Sequence, residues 1–304
     1  MEPTPRTLII ILCYNGIELT LECLRSLQAV EGALFDILVL DNASSDQTPA
    51  QIRAHFPHVH VIENGANLGF AAGNNVGLRY ALAHGYDYAL LLNNDTEVAP
   101  DFLARMLACA EADPQIGAVG PLIYYHEQPD LIWSAGGMID WRRGTSSMAG
   151  SNERDCGQFV VQRDVDFVTG CALLVRRAAL ERAGLLDERF FMYYEETEWC
   201  VRIARAGMRI TFEPASRLWH KIPLNARFDR EYLAYYMTRN RLLFLRATGA
   251  ALPTWINALL FQDLRTFLSL VLRPKWRGRA GRRGMWHGWR DFWRGRFGAL
   301  TTRL

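Results

Sequence analysis

The sequence predicts an α/β fold: a mostly parallel sheet with flanking helices, followed by a helical C-terminal extension rich in Arg and Trp. Three observations predict it. Short apolar runs alternate with helix-period segments through the first hundred residues. The runs are continuous, as in LIIIL (8–12), FDILVL (35–40) and YALLL (88–92), the pattern of strands buried on both faces. They run out into small or oxygen-bearing residues (CYNG, DNASSD, GANLGFAAGNN, NNDT), and ligands of such sheets bind beyond the carboxyl ends of the strands.

The elements follow in order. LIIIL leads into a helix over 17–28 with apolar residues at 17, 21, 24 and 27. FDILVL is followed by a short helix over 48–55, with Pro49 in its first turn. The strand VHVIE (59–63) precedes a helix over 71–83 that Gly85 ends, and YALLL runs into NNDT. Beyond Pro100 the alternation loosens. A helix over 101–112 and an extended IGAVGPLIY precede a polar, Gly/Ser-rich loop at 142–158. DFVTGCALLVRR (166–177) is a strand followed by a helix; a helix over 197–206 and a strand at 209–213 come next, and helical spacing dominates from Glu231 onward.

Of 304 residues, 50% are hydrophobic and 22% charged, enough to bury one large domain or a domain with an appendage. The six cysteines form no CxxC pair and no cluster with His, which fits reduced structural thiols and argues against a structural zinc site. The N-terminus lacks the basic start and cleavage site of a signal peptide, and no window of about 20 uncharged apolar residues occurs. A cytoplasmic setting is expected. Residues 273–304 hold ten Lys/Arg against Asp291 alone, a balance of +9, whereas the rest hold 24 basic and 31 acidic residues, a balance of −7. An acidic body with a basic tail calls for two explanations.

Asn93, Asn94 and Asp95 end a strand in more oxygen donors than a turn requires, a set suited to Mg²⁺ or Mn²⁺ bound largely through phosphate and water. A turn with Asp95 or Thr96 as a helix cap accounts for the same residues. Asp41, in DNASSD, is placed to accept a hydrogen bond from a ligand ring, or simply to close an Asx-turn. Asn67, Gly69 and Asn74 lie in a glycine-rich stretch that is neither GxGxxG nor a P-loop, yet sits where backbone can approach a phosphate. Glu195 and Glu196 stand near a helix start beside Tyr193 and Tyr194. Helix-dipole preference explains acids there, but adjacent carboxylates beside aromatics also favour the raised pKa of a general base.

Taken in order, ILCYN, VLDNASSD, NLGFAAGNN, LLNNDTEV, VTGCALLVRRAAL, LDERFFMYYEETEWC and WHK resemble the family 2 glycosyltransferases with the GT-A fold, in particular the bacterial rhamnosyltransferase-like branch, over roughly residues 6–245. The resemblance implies that Tyr14 lies against the nucleotide base and that Asp41 bonds its uracil or thymine ring. It puts Asn93-Asn94-Asp95 in the place of the DxD motif, with Asp95 as the metal-binding acid and His220 completing the metal site. It matches Glu195-Glu196 to a Glu-Asp pair whose second member is the catalytic base. Asn93 in place of an Asp removes one negative charge from the metal, Asn74 stands where many relatives have an Arg near the diphosphate, and Glu196 is one methylene longer than Asp.

The resemblance thus implies an inverting, metal-dependent transferase moving a sugar, rhamnose favoured, from a dTDP- or UDP-sugar to a glycan, expected to be lipid-linked. Residues 1–230 are expected to form the catalytic domain, with the nucleotide-sugar part at about 1–100 and the acceptor part at about 101–230. A non-catalytic nucleotide-sugar-binding or scaffold protein is the alternative, supported only by Asn93. Residues 252–272 suit an amphipathic helix packed on the catalytic domain, and 273–297 interleave Arg with Trp276, Trp286, Trp289 and Trp293. Arg with interfacial aromatics favours an anionic membrane surface, placing the protein peripherally on the inner face of the cell membrane. Nucleic acid is the less favoured partner of such a tail, and a solvated tail or subunit contact the plain alternative.

Overall fold

The computed structural model describes residues 4–223, 231–272 and 275–300, with side chains described throughout these except at 275–279. The strands are β1 (Arg6–Cys13), β2 (Leu34–Asp41), β3 (His60–Glu63), β4 (Tyr88–Asn93), β5 (Thr96–Val98), β6 (Ile116–Tyr125), β7 (Gln128–Ser134), β8 (Gly137–Asp140), β9 (Thr145–Met148), β10 (Arg163–Asp164), β11 (Ala172–Arg176) and β12 (Arg209–His220). The helices are α1 (Ile17–Leu27), α2 (Thr48–His55), α3 (Gly69–Ala83), α4 (Phe102–Ala112), α5 (Arg177–Ala183), α6 (Glu195–Arg205), α7 (Glu231–Ala247), α8 (Leu252–Ile256), α9 (Leu264–Val271) and α10 (Lys275–Trp293), with a π-helical stretch, Asn257–Asp263, joining α8 to α9.

Ten strands form one sheet in the order β10-β12-β6-β11-β4-β1-β2-β3, with β5 on β12 and β7 on β6. The half built from β3, β2, β1 and β4 is parallel, as the continuous apolar runs predict. Its register aligns Cys13 with Asp41 and Leu12 with Asn93, so the polar strand ends share one edge. β11 runs antiparallel to both β4 and β6, and beyond it β6 and β12 are again parallel.

Three local expectations change. The polar stretch 142–158 is not all loop: β9 pairs with β8 in a separate hairpin, its Thr-Ser-Ser-Met sequence carrying no apolar signal. The strand expected at 209–213 extends to His220, crossing a register shift between Glu213 and Arg217. Thr96 does not cap a helix; it opens β5 and pairs with His220.

Helices cover both faces. One core layer packs α1, α2 and α4 on the sheet, and the other packs α3, α5 and α6. Leu242 to Leu245 of α7, Ala258 and Phe292 belong to this second layer, so the C-terminal helices share the core of the sheet. α10 lies on α7 through glycines: a Cβ at Gly284 would sit 2.3 Å from the Glu231 carbonyl oxygen, and one at Gly288 2.8 Å from that of Tyr235. Arg241 of α7 pairs with Asp263, which also accepts the indole N–H of Trp289 from α10 at 2.8 Å. Arg241 and Asp263 are both buried. Among the described residues no helix is long and apolar enough to cross a membrane.

Removing one member of a buried ion pair leaves the other charge without compensation. Arg241→Met is therefore expected to destabilise by about 3–5 kcal/mol, whereas Arg241→Met combined with Asp263→Leu recovers most of that loss. Chemical denaturation of the three proteins measures it; equal stability of single mutant and wild type removes the pair from the account.

Candidate active site

The strand-end loops interlock. Asn15, at φ 49°, accepts the Ser45 N–H on its side-chain oxygen at 2.7 Å, while its own N–H reaches Ser44 Oγ at 2.9 Å. Asp46 accepts the N–H groups of Ile17 and Thr48, tying the starts of α1 and α2 together. Asp41 is buried, and its Oδ2 accepts the Ser44 N–H, three residues on, at 2.9 Å; the bond closes the loop one residue later than an Asx-turn would. The Cys13 thiol lies 3.5 Å from the other Asp41 oxygen and is held well above the usual thiol range, by burial and then by this carboxylate. Tyr14 is 52% exposed beside this turn, its ring open to a planar ligand.

The NND segment is fixed from three sides. The Asn93 N–H donates to the Cys171 carbonyl, Asn94 Nδ2 donates to Thr20 Oγ1 of α1 at 2.9 Å, and the Asp95 carbonyl accepts the Lys221 N–H. The extension of β12 along β5 brings His220 to Asp95, with Nε2 and Oδ1 3.0 Å apart. His220 is buried, edge-on to the Trp133 ring, and its Nδ1 has no hydrogen-bond partner among the described residues. A carboxylate oxygen beside an imidazole nitrogen is a donor pair that fits a hard divalent cation. No group of three His, Cys, Asp or Glu among the described residues is placed to hold a metal. The pair supplies two of the roughly six ligands that such a cation takes.

The loop between Phe190 and Glu195 has the most strained backbone here: Phe191, Tyr193 and Tyr194 all have positive φ, between 67° and 74°. It is held from both sides. The Phe191 carbonyl accepts the N–H groups of Phe70 and Ala71 at the start of α3. From α7, Asn240 Nδ2 reaches the carbonyl oxygens of Phe190, Met192 and Tyr193 at 2.7–3.0 Å, and Arg239 Nη2 reaches that of Phe190 at 2.9 Å. Gly69 has a positive φ, and a Cβ there would lie 2.4 Å from the Phe191 ring. Its absent side chain admits the loop. The expected phosphate cradle is thus filled differently: the N–H groups of Gly69, Phe70 and Ala71 at this helix start are already bonded to protein.

Glu195 and Glu196 open α6 directly after this loop. Burial raises the pKa of both above the usual carboxylate range, and for Glu195 the neighbouring charge of Glu196 adds to it. Backbone N–H groups of Glu196, Thr197 and Gly170 oppose the rise at Glu196. One carboxyl oxygen of each is buried with no hydrogen-bond partner among the described residues. Glu196 lines a cavity of about 180 Å³ with Ser146, Tyr194 and Met237, and β9 supplies one wall. The segment Thr169–Cys171 links this carboxyl to the strand edge, since Gly170 bonds Glu196 and Cys171 bonds Asn93.

Asn67 turns inward: its Oδ1 accepts the Gly69 N–H at 3.0 Å and lies 3.4 Å from Asn42 Nδ2. Asn74 is buried and donates to the Phe70 carbonyl, one turn back in α3. Sequence reasoning misses Asn15, Asp46, Arg239 and Asn240. The last two carry no motif signal, although two adjacent polar residues inside an apolar helix (YYMTRNRLLFL) mark buried partners. Asn240→Ala leaves carbonyls of the strained loop unpaired, at about 1–3 kcal/mol for a buried group so orphaned. The expected outcome is a lowered melting temperature with nucleotide affinity retained; an unchanged melting temperature shows that the loop holds itself.

Comparison with known proteins bears on the family and the fold. Residues 8–184, more than half of the chain, match the profile of Glycosyl transferase family 2. The chain is 30% identical over 257 residues to an N-acetylglucosaminyl-diphospho-decaprenol L-rhamnosyltransferase of Mycobacterium tuberculosis, covering 77% of this chain and 81% of that one. It is 25% identical to a dTDP-rhamnosyl transferase of Shigella flexneri, covering 77% and 79%. Among solved structures, a mannosyltransferase of Pyrobaculum calidifontis in complex with GDP-Man and Mn²⁺ aligns with a TM-score of 0.59 at 17% identity, covering 96% of this chain and 88% of that one. The sheet, its flanking helices and the matched sequence place this chain in glycosyl transferase family 2, with the GT-A fold.

Proposed function

We propose that this family 2 glycosyltransferase is inverting and metal-dependent and moves rhamnose from a dTDP- or UDP-sugar to a hydroxyl of a lipid-linked glycan. The observation that carries the reading is Glu196: a half-buried side chain with one buried carboxyl oxygen and a raised pKa, which opens into a cavity and is tied through Gly170 and Cys171 to the strand edge. The names of the two rhamnosyl-transferring relatives favour the sugar and the lipid-linked acceptor.

Tyr14 and the Asp41 turn would receive the base, and Asp95 and His220 would hold a divalent cation. Such a cation, when bound, supplies positive charge to the diphosphate. Glu196 takes the proton of the acceptor hydroxyl. The freed oxygen forms a bond to the anomeric carbon as the bond from that carbon to the diphosphate oxygen breaks, and the nucleoside diphosphate leaves. Attack from the face opposite the leaving group inverts the configuration. Residues 1–100 would serve the donor and 101–230 the acceptor, with 231–304 as a membrane-facing helical part that shares their core.

The membrane reading gains support from 252–272. Leu252, Ile256, Leu260, Leu264, Leu268 and Leu272, every fourth residue, are all exposed. Four residues overshoot one α turn by about 40°; the wider π turn at Asn257–Asp263 offsets that drift. Of the tail, Trp286 and Trp293 are exposed, while Trp289 packs inward on Asp263. Arg273 and Arg303, and the side chains of Lys275, Trp276, Arg277 and Arg279, lie outside the described residues. An exposed apolar stripe beside a basic segment suits an anionic lipid surface, which supports the reading of a protein peripheral on the inner face of the membrane.

Three measurements test the reading. Asp95→Asn is expected to abolish Mn²⁺-dependent binding of nucleoside diphosphate in calorimetry; unchanged affinity makes NND a structural turn. Glu196→Gln is expected to lower turnover by about 10²-fold or more with donor binding nearly intact. Because its pKa is raised, the wild-type rate should climb with pH through a midpoint above 4.5, the ordinary glutamate value. A flat profile, or a greater loss in Glu195→Gln, removes Glu196 as the base, and absence of nucleoside diphosphate release from every donor leaves the binding or scaffold alternative. Replacing Ile256, Leu260 and Leu264 together by Gln should abolish co-sedimentation with anionic liposomes, which in the wild type weakens with salt; undiminished sedimentation excludes the stripe.

A further inference from the structure

Three voids follow one another from Glu196 to the outer face of the C-terminal helices. The innermost is the cavity of about 180 Å³ that holds Glu196. Ser146, Tyr194 and Met237 also line a second cavity, of about 370 Å³, that lies among α7, α9 and α10 against Ala234, Leu270 and Met285. Gln262 and Ser269 line both this second cavity and a groove on the surface of α9, where Leu260, Leu264, Leu268 and Leu272 are exposed.

The chemistry of the lining changes along this line. At the inner end stand a carboxyl, the Tyr194 phenol and serine hydroxyls from β9. Ala234, Met237, Leu270 and Met285 line the middle together with Thr238, Thr266 and Ser269, the surface they present is mainly apolar, and Arg241 and Asp263 in its wall neutralise one another. Leucines flank the outer groove. A water-soluble glycan gains nothing from an apolar middle section. A molecule with a hydroxyl-bearing head and a long hydrocarbon tail matches all three sections in order, because burial of its chain is favourable at about 25 cal/mol per Å².

We infer that the three voids form the binding path of the acceptor: the hydrocarbon chain of a polyprenyl-linked glycan lies in the groove and the apolar cavity, and its sugar end reaches Glu196. This assignment rests on the transfer to a lipid-linked acceptor proposed above. It makes the C-terminal helices part of the acceptor site, and it gives the exposed stripe a second role as the place where the lipid leaves the bilayer.

The test uses the full chain in detergent and decaprenyl diphosphate carrying a photoreactive group on its chain. Saturable labelling is expected at Met237, Leu270 or Met285, displaced by unlabelled decaprenyl diphosphate. Ser269→Trp, at the junction of groove and cavity, is expected to weaken that binding about tenfold or more, equivalent to about 1.4 kcal/mol. Calorimetric affinity of the same variant for nucleoside diphosphate with Mn²⁺ reports whether its fold survives; if it does not, the labelling pattern of the wild type decides alone. Labelling confined to other surfaces, absence of saturable binding, or wild-type affinity in a folded Ser269→Trp overturns the inference. Equal kcat/KM for one acceptor sugar with and without its prenyl chain also overturns it, while leaving the enzyme reading intact. Failure of that reading shows instead as no nucleoside diphosphate release from any nucleotide sugar.

Discussion

The carbonyl groups of residues 190–193 are the constraint on which the site depends. Three of the five residues from Phe190 to Tyr194 adopt left-handed backbone without being glycine, a conformation that persists only when its surroundings over-determine it. Here the surroundings are α3 on one side and Arg239 with Asn240 on the other. The same contacts fix the start of α6, and with it both glutamates. α3, α6 with its two glutamates, and α7 are therefore one mechanical unit.

Much of the first hundred residues is legible because buried parallel strands leave a strong signal. All four apolar runs are strands, and the helix expected at 48–55 matches α2 residue for residue. The local signal fails where pairing is set from a distance. β9 is polar because its neighbours are a hairpin partner and a cavity wall. β12 runs on to His220 because β6 and β5 flank it, which no window of a few residues can show. Gly69 suggests room for a phosphate, and the space goes to Phe191. Tyr14, Asp41, Asp95, Glu196 and His220 are legible as positions through their motifs. Asn240 is not, because its role is to bind carbonyls nearly 50 residues away.

Burial sets the chemistry of the glutamate pair against stability. A carboxyl whose folded-state pKa is raised favours its protonated form in the native protein, so folding stability declines as pH rises above the ordinary value of 4.5. Two adjacent glutamates at one helix start both act in this direction. The protein meets the load with the α6 N-terminus, whose N–H groups favour negative charge, and with the clamp from α7. A base needs a pKa matched to its task, and under the proposed role of Glu196 the burial that raises its pKa is also the source of the stability penalty.

The π-helical stretch at Asn257–Asp263 has a consequence for chain length. A π turn holds one more residue than the α turn it replaces, and it does so without rotating the later residues out of line. The helix from Leu252 to Val271 thus carries a surplus residue, and the four-residue repeat of its leucines is the sequence form of that surplus. Loss of a single residue between 257 and 263 would let the stretch close into a regular α-helix while α9 kept its facing toward α10. Elsewhere in a helix the same loss turns every later side chain by about 100°. This segment is accordingly one where the chain can shorten by a residue and leave the packed face of α9 in register.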